Sequence, residues 1–141
     1  MILLLRHGKT EANERRLYAG ALDWPLSEAG RAELLAYWAE GLYPKAQAFY
    51  TSGMLRCEQT LELLYGPQPH QRIGGLSEYR FGAFEGRSYE QLKEDPAYRA
   101  WIGDSAGTVA CPGGESKAEF RDRIAKAFES LAPWLSTSSL A

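Results

Sequence analysis

A chain of 141 residues suits one domain. Its 45% apolar and 24% charged residues are ordinary globular values and exclude disordered, collagen-like and low-complexity chains. Lys and Arg total 16 against 18 Asp and Glu, a net charge of −2 that excludes a general nucleic-acid binder. The longest purely apolar run, residues 1–5, is too short for a membrane span. Arg6 and His7 follow it directly, so it is no signal peptide either. Cys57 and Cys111 have no spacing that suggests zinc or a disulfide framework. The expected compartment is the cytoplasm, with reduced thiols.

In chain order, residues 2–5 read as a short, buried parallel strand. The polar stretch 6–24 has no clear periodicity, and long loops after a strand are often functional. Ser27 is placed to cap a helix carrying Leu34, Leu35, Trp38 and Leu42, stopped near Gly41. A second strand is expected over 46–51 and a second helix over 55–64, closed by Gly66 and Pro67. A weaker strand is expected over 71–76, an irregular aromatic–glycine segment over 81–86, and short helices near 89–94 and 97–102. Ser116-Lys117-Ala118-Glu119 is a capping box. The helix it opens puts Phe120, Ile124, Phe128, Leu131 and Leu135 on one face. Alternating strands and helices predict an α/β fold, three layers α/β/α around a mostly parallel sheet.

Four segments carry chemistry. Arg6-His7-Gly8 follows the first strand, where ligands of α/β sheets bind. An imidazole there can be a nucleophile or proton carrier, and the adjacent guanidinium suits phosphate. Taken alone, the same histidine also fits a strand-end residue that bonds its own loop. Arg56 lies at a helix start, where an anion rather than a cation suits the dipole, so it is aimed at an anion or is a solvated surface residue. Glu78 and Glu85 lie among aromatic residues whose apolar surroundings would favour a protonated carboxyl and a general acid. Glu85 reads rather as a surface glutamate. Pro112-Gly113-Gly114-Glu115-Ser116 reads as a turn and helix cap more than as a phosphate pocket. His70, between prolines and glutamines, has no carboxylate partner at ligand spacing. Tyr98 and Trp101 read as packing residues.

Together these segments resemble the histidine phosphatase family, also called phosphoglycerate-mutase-like. The resemblance rests on Arg6-His7-Gly8-Lys9-Thr10-Glu11-Ala12-Asn13, on Asp23-Trp24-Pro25-Leu26-Ser27-Glu28-Ala29-Gly30 and on Ser52 through Thr60 around Arg56. It continues through Leu76-Ser77-Glu78, through Phe81-Gly82-Ala83-Phe84-Glu85-Gly86 with Phe84 where tryptophan is commoner, and through the Pro112–Ser116 segment. It implies that His7 is a nucleophile forming a phosphohistidine, that Arg6 and Arg56 clamp phosphoryl oxygens, and that Glu78 protonates the leaving oxygen. Asn13, Thr10 and Gly20 would border the phosphate pocket. No metal or cofactor is implied. The partner would be a small phosphorylated metabolite, with phosphate or sulfate able to occupy the site, and neither nucleic acid nor membrane is expected.

Within the family, Leu17-Tyr18-Ala19-Gly20 and the segment from Leu76 to Gly82 look most like α-ribazole phosphatases, with broad-specificity sugar-phosphate phosphatases nearly as similar. Phosphoglycerate mutases of the family carry a long insertion between the acid and Pro-Gly-Gly-Glu-Ser motifs. Here 25 residues separate Gly86 from Pro112, which favours a phosphatase. The family pattern also has a second catalytic histidine after a strand that follows the capped helix. Residues 136–141 carry none, so the chain reads as truncated, lacking C-terminal strands. That expectation brings two others. One is a non-catalytic binder of phosphoryl ligands. The other is pairing of the open sheet by further chain or by a second copy, as a homodimer, because unpaired buried backbone groups cost about 1–3 kcal/mol each.

Overall fold

The computed structural model describes residues 2–133. Helices α1 (Glu11–Glu14) and α2 (Glu28–Ala39) come first, then β1 (Tyr50–Thr51), α3 (Leu55–Tyr65) and β2 (Gln71–Arg72). Single 3-10 turns at Gly74–Leu76 and Gly82–Phe84 lead to α4 (Tyr89–Leu92), α5 (Pro96–Ile102) and α6 (Lys117–Glu129). The fold is α/β with a parallel sheet. The β1–β2 register pairs Tyr50 with Gln71 and Thr51 with Arg72.

Local chemistry explains the boundaries. The Ser27 hydroxyl accepts from Gly30 N at 3.0 Å and starts α2, whose chain leaves through Gly41 at φ 73°. Ser116 and Glu119 form the expected capping box of α6. Pro96 opens α5 behind the Asp95 cap. The unpatterned stretch 6–24 hides α1, which is too short for periodicity to show. It is made by reciprocal capping of Thr10 and Asn13.

Two cores form. Tyr79, Phe84, Leu92, Tyr98, Trp101 and Cys111 make the larger, with Tyr18, Phe81 and Phe120 packed against it. The polar tips of its rings are satisfied: Trp101 Nε1 donates to Tyr79 OH at 2.9 Å, and Tyr79 OH donates to the Glu115 carbonyl at 2.6 Å. Leu26, Leu34 and Leu64 make the smaller core, between α2 and α3.

Four expectations change. Residues 2–5 form no strand, and their four side chains are 41–85% exposed. A strand is defined by a neighbour that takes its N–H and C=O groups, and no described residue pairs with them. The sheet also shrinks: β1 covers two of the six residues expected over 46–51, and β2 ends at Arg72, after which the chain turns into the Gly74–Leu76 turn. Of the four apolar residues expected on the inner face, only Leu34 is buried, while Leu35 and Trp38 on α2 and Leu42 beyond its end are 47%, 55% and 59% exposed. On α6, Ala127 is buried where the helix passes close to Gly75, and Phe128 is exposed. Leu135 lies outside the described residues.

His70 is not partnerless. Its Nε2 lies 2.8 Å from Glu58 Oε2, which also accepts from Arg72 Nη2 at 2.8 Å, while Thr51 Oγ1 donates to Glu58 Oε1. This cluster ties β1 and β2 to α3. Burial favours the protonated Glu58, but the bonds from Arg72, Thr51 and His70 outweigh it and hold the carboxyl down at about 2. The Gln68 carbonyl and then Glu58 raise His70 above its ordinary value. The depressed Glu58 stabilises the fold above its ordinary value of 4.5, and that support is lost as pH falls towards 2. The raised His70 stabilises it below 6.5, and that support is lost as pH climbs through its raised value. His70→Gln should therefore lower Tm most between pH 4.5 and 6.5, with the difference from wild type narrowing on either side. Thermal denaturation across pH checks this, and a difference independent of pH would contradict it.

Candidate active site

His7 stands half-buried at the start of a backbone turn held from two sides. Gly8 N donates to Thr60 Oγ1 at 3.1 Å, and that hydroxyl donates to the Arg56 carbonyl at 2.7 Å, so the first turns of α3 fix the turn. A Cβ on Gly8 would lie 2.6 Å from Leu34 Cδ1, so any side chain there would force the smaller core to shift. From the α2 side, Ser27 N donates to the Lys9 carbonyl at 2.9 Å.

The imidazole is oriented through both ring nitrogens. His7 Nδ1 lies 2.7 Å from the Gly8 carbonyl. A carbonyl can only accept, so Nδ1 carries the proton and the Nε2 lone pair of the neutral ring is free. Arg56 Nε donates to that lone pair at 3.2 Å. Burial, first, lowers the His7 pKa, and the charges of Arg56 and Arg6 lower it further, against the Gly8 carbonyl and the Glu78 charge, which raise it. The ring is therefore neutral at pH 7.

Arg56 is 3% exposed. Its other bonds run to the Leu22 carbonyl at 3.3 Å and the Gly20 carbonyl at 3.0 Å. The anion at the α3 N-terminus is Asp23, whose Oδ1 accepts from Leu55 N at 2.7 Å. Arg56 is thus neither a solvated surface residue nor a partner of that dipole. It is a buried cation pointed at His7.

Among the other predicted residues, Arg6 and Glu78 are exposed, and their charges bear on His7. Glu78 is not shielded by rings. Tyr79, Phe81 and Phe84 turn into the larger core instead, and the carboxylate accepts from Tyr79 N at 2.8 Å. Thr10 and Asn13 serve α1 first: Thr10 N and Thr10 Oγ1 both donate to Asn13 Oδ1 at 3.0 Å. Gly20 is buried, and a Cβ on it would sit 1.6 Å from the Tyr79 carbonyl oxygen. Pro112-Gly113-Gly114-Glu115-Ser116 is a turn and cap, and it bonds the acid loop through Ala83 N to the Pro112 carbonyl at 2.8 Å.

Glu85 was expected at the surface, and the structure corrects this. Its Oε1 accepts from Ala21 N at 2.8 Å and Phe81 N at 3.2 Å, and its Oε2 accepts from Gly20 N at 3.0 Å. It joins the Gly20 loop to the acid loop, and so positions the carbonyl that Arg56 needs. Nothing local in the sequence signals this, because the donors come from residues 20 and 21, more than sixty positions away. Asp23 and Thr60 were likewise missed. Thr60 alone left a trace, at i+4 from Arg56 on one helix face. Among the described residues no group of three or more His, Cys, Asp or Glu side chains could hold a metal ion, and no helix is long and apolar enough to cross a membrane.

Comparison with known proteins gives consistent matches. The family model of the histidine phosphatase superfamily (branch 1) matches residues 2–137. A 2,3-bisphosphoglycerate-dependent phosphoglycerate mutase of Beijerinckia indica is 30% identical, over 89% of this chain and 63% of its own length. An acid phosphatase of Mycobacterium tuberculosis is 31% identical, over 86% of this chain and 58% of its own. A solved structure of a putative α-ribazole-5'-P phosphatase from Escherichia coli superposes with TM-score 0.82 at 26% identity, over 92% of this chain and 66% of that one. A phosphoglycerate mutase from Thermus thermophilus superposes with TM-score 0.70 at 35% identity, over 88% of this chain and 68% of that one. The chain spans less than two thirds of the length of the curated relatives it matches.

The Glu85 clamp generates a measurable expectation. Glu85→Gln replaces one acceptor oxygen by a donor that faces backbone N–H groups. Hydrogen bonds to charged groups contribute about 1.5–3 kcal/mol, and the variant should lose about that much stability in urea denaturation. A loss within about 0.5 kcal/mol, typical of ordinary surface positions, would contradict the clamp.

Proposed function

The chain belongs to the histidine phosphatase superfamily, and on that premise we propose that it is a metal-independent phosphatase of a small phosphate monoester, working through a phosphohistidine on His7. The observation that carries this reading is the orientation of the ring, with Nδ1 bonded to the Gly8 carbonyl and Nε2 facing the Arg56 guanidinium. A neutral imidazole so held offers one lone pair to phosphorus, beside a fixed cation that favours the charge developing on phosphoryl oxygens.

The steps balance. The Nε2 lone pair forms a bond to phosphorus, the ester P–O bond breaks, and the leaving oxygen takes a proton from Glu78. Phosphorylation consumes the lone pair that Arg56 Nε now binds, which frees that N–H to turn to a phosphoryl oxygen. One N–H on each terminal nitrogen of Arg56 joins it, and Arg6 adds a cation on the open side. Water then attacks phosphorus, Glu78 takes its proton, the P–N bond breaks and inorganic phosphate leaves with the ring restored. The Gly8 carbonyl supports the cationic phosphorylated ring through Nδ1. Asn13, its amide N–H groups free of the α1 cap, Thr10 and Gly20 would border the phosphate.

For the substrate, α-ribazole 5'-phosphate is the choice best supported, through the segments around Tyr18 and Glu78 and the TM-score of 0.82 with the E. coli protein. A mutase reading, in which the phosphoryl group passes to a second hydroxyl, is favoured by the 35% identity to the T. thermophilus mutase. The short connection between the acid and Pro-Gly-Gly-Glu-Ser motifs argues for hydrolysis.

The test is a rapid quench with labelled p-nitrophenyl phosphate in the presence of EDTA. The expected result is acid-labile, base-stable label on His7. Label on a serine, aspartate or cysteine, or release that EDTA abolishes, would overturn the reading. Separately, Glu78→Gln should slow release of an alkyl alcohol by about 10²–10⁴ and of nitrophenolate far less, since nitrophenolate leaves without protonation. Equal losses for both substrates would remove Glu78 from the acid role.

A further inference from the structure

Among the described residues the Glu78 carboxylate bonds only the neighbouring Tyr79 N–H, so its position follows its backbone. That backbone is held from α6. Arg123 Nη1 donates to the Gly75 carbonyl at 2.9 Å and the Ser77 carbonyl at 2.8 Å, and Nη2 donates to the Glu78 carbonyl at 3.1 Å. The remaining donors grip Glu115, with Nε to Oε2 at 3.1 Å and Nη2 to Oε1 at 2.5 Å. All five guanidinium N–H groups are used. Glu115 returns to the same loop, accepting from Arg80 N at 3.0 Å. The loop is thus pinned at Glu78 and on both sides of it.

A clamp built only to dock α6 on the domain could use any part of the loop. Here one plane of donors takes three carbonyls spaced across four residues, ending at the acid itself. Only a guanidinium supplies five donors in a fixed plane. An ammonium is a point charge with three donors that cannot span the same acceptors.

From this arrangement we propose that Arg123, held by Glu115, is a positioning residue that sets the Glu78 carboxylate against His7. The inference rests on the reading of Glu78 as the general acid. Arg123 touches no substrate and acts through the loop alone.

The chain contains two histidines, His7 and His70, so its imidazole NMR spectrum is simple and can be followed without turnover. The charges facing His7 are Arg6, Arg56 and Glu78, and the last raises its pKa. Glu78→Gln should therefore shift the His7 titration midpoint downward. Arg123→Lys keeps the charge that Glu115 requires but loses the fork. It should produce most of that same downward shift in the wild-type background and none in the Glu78→Gln background. His70, paired with Glu58, should titrate unchanged throughout and so report an intact fold. Gly75→Ala reaches the clamp from the loop side, because its Cβ would lie 2.7 Å from Ala127 Cβ, and should shift His7 in the same direction.

If Glu78→Gln moves His7 but Arg123→Lys does not, positioning by Arg123 is overturned while Glu78 keeps its place. If Arg123→Lys moves His7 equally with or without Glu78, the effect does not pass through the acid and the proposal falls. If Glu78→Gln itself leaves His7 unmoved, the acid assignment fails first. Loss of the His70 titration in both Arg123→Lys and Gly75→Ala would make the clamp a support of the whole domain, and would also overturn the proposal.

Discussion

A guanidinium that is 3% exposed must find its hydrogen bonds inside the protein, and Arg56 finds them on the Gly20 carbonyl, the Leu22 carbonyl and the Nε2 of His7. None of these partners is a carboxylate. The positive charge is satisfied by dipoles and a lone pair, so it stays uncompensated at close range. Burial of the neighbouring ring, first, and this charge beside it disfavour a second positive charge there, and His7 is kept neutral with its lone pair available. Much of the surrounding structure serves this arrangement. Gly20 has no room for a side chain beside Tyr79, Glu85 holds the Gly20 loop by its N–H groups, Asp23 anchors the following segment to the start of α3, and Thr60 joins Gly8 to the Arg56 backbone.

On the other side of the site the acid loop depends on the C-terminal helix. The Pro112–Ser116 turn, the Ser116 cap and α6 form one unit that presents Glu115 and Arg123 to residues 75–80. The sequence distance is large, yet the contact is nearly all backbone, so the loop's shape is specified without regard to its side chains. This leaves Glu78 exposed and free to meet a ligand, while Tyr79 turns inward to bond Trp101 and the Glu115 carbonyl. Successive residues of one short segment thus face solvent and the core.

Features that depend on a few adjacent residues were legible in the sequence. Ser27 and Ser116 mark their helix starts because capping is a matter of three or four positions. The chemistry at His7 and Arg56 was legible as residue types at strand and helix ends. The parallel pairing of β1 and β2 was legible within the stretches 46–51 and 71–76, but the strand over 2–5 was not, because those residues have strand composition and no described neighbour to pair with. The burial of α2 was overread for a similar reason: Leu35 and Trp38 are spaced like a core face, and spacing alone does not supply a surface to cover them. Glu85 looked like a surface carboxylate because its partners at Gly20 and Ala21 lie far away in the chain.

The chemistry of His7 turns on one proton. If the Gly8 carbonyl and Arg56 orient His7 as described, nitrogen NMR of the His7 ring at pH 7 will show a neutral imidazole with the proton on Nδ1 and an unprotonated Nε2. Arg56→Gln should then raise the pKa of that ring. A His7 that is cationic at pH 7, or neutral with its proton on Nε2, would have no lone pair facing Arg56 and would contradict the assignment of His7 as the phosphoryl acceptor.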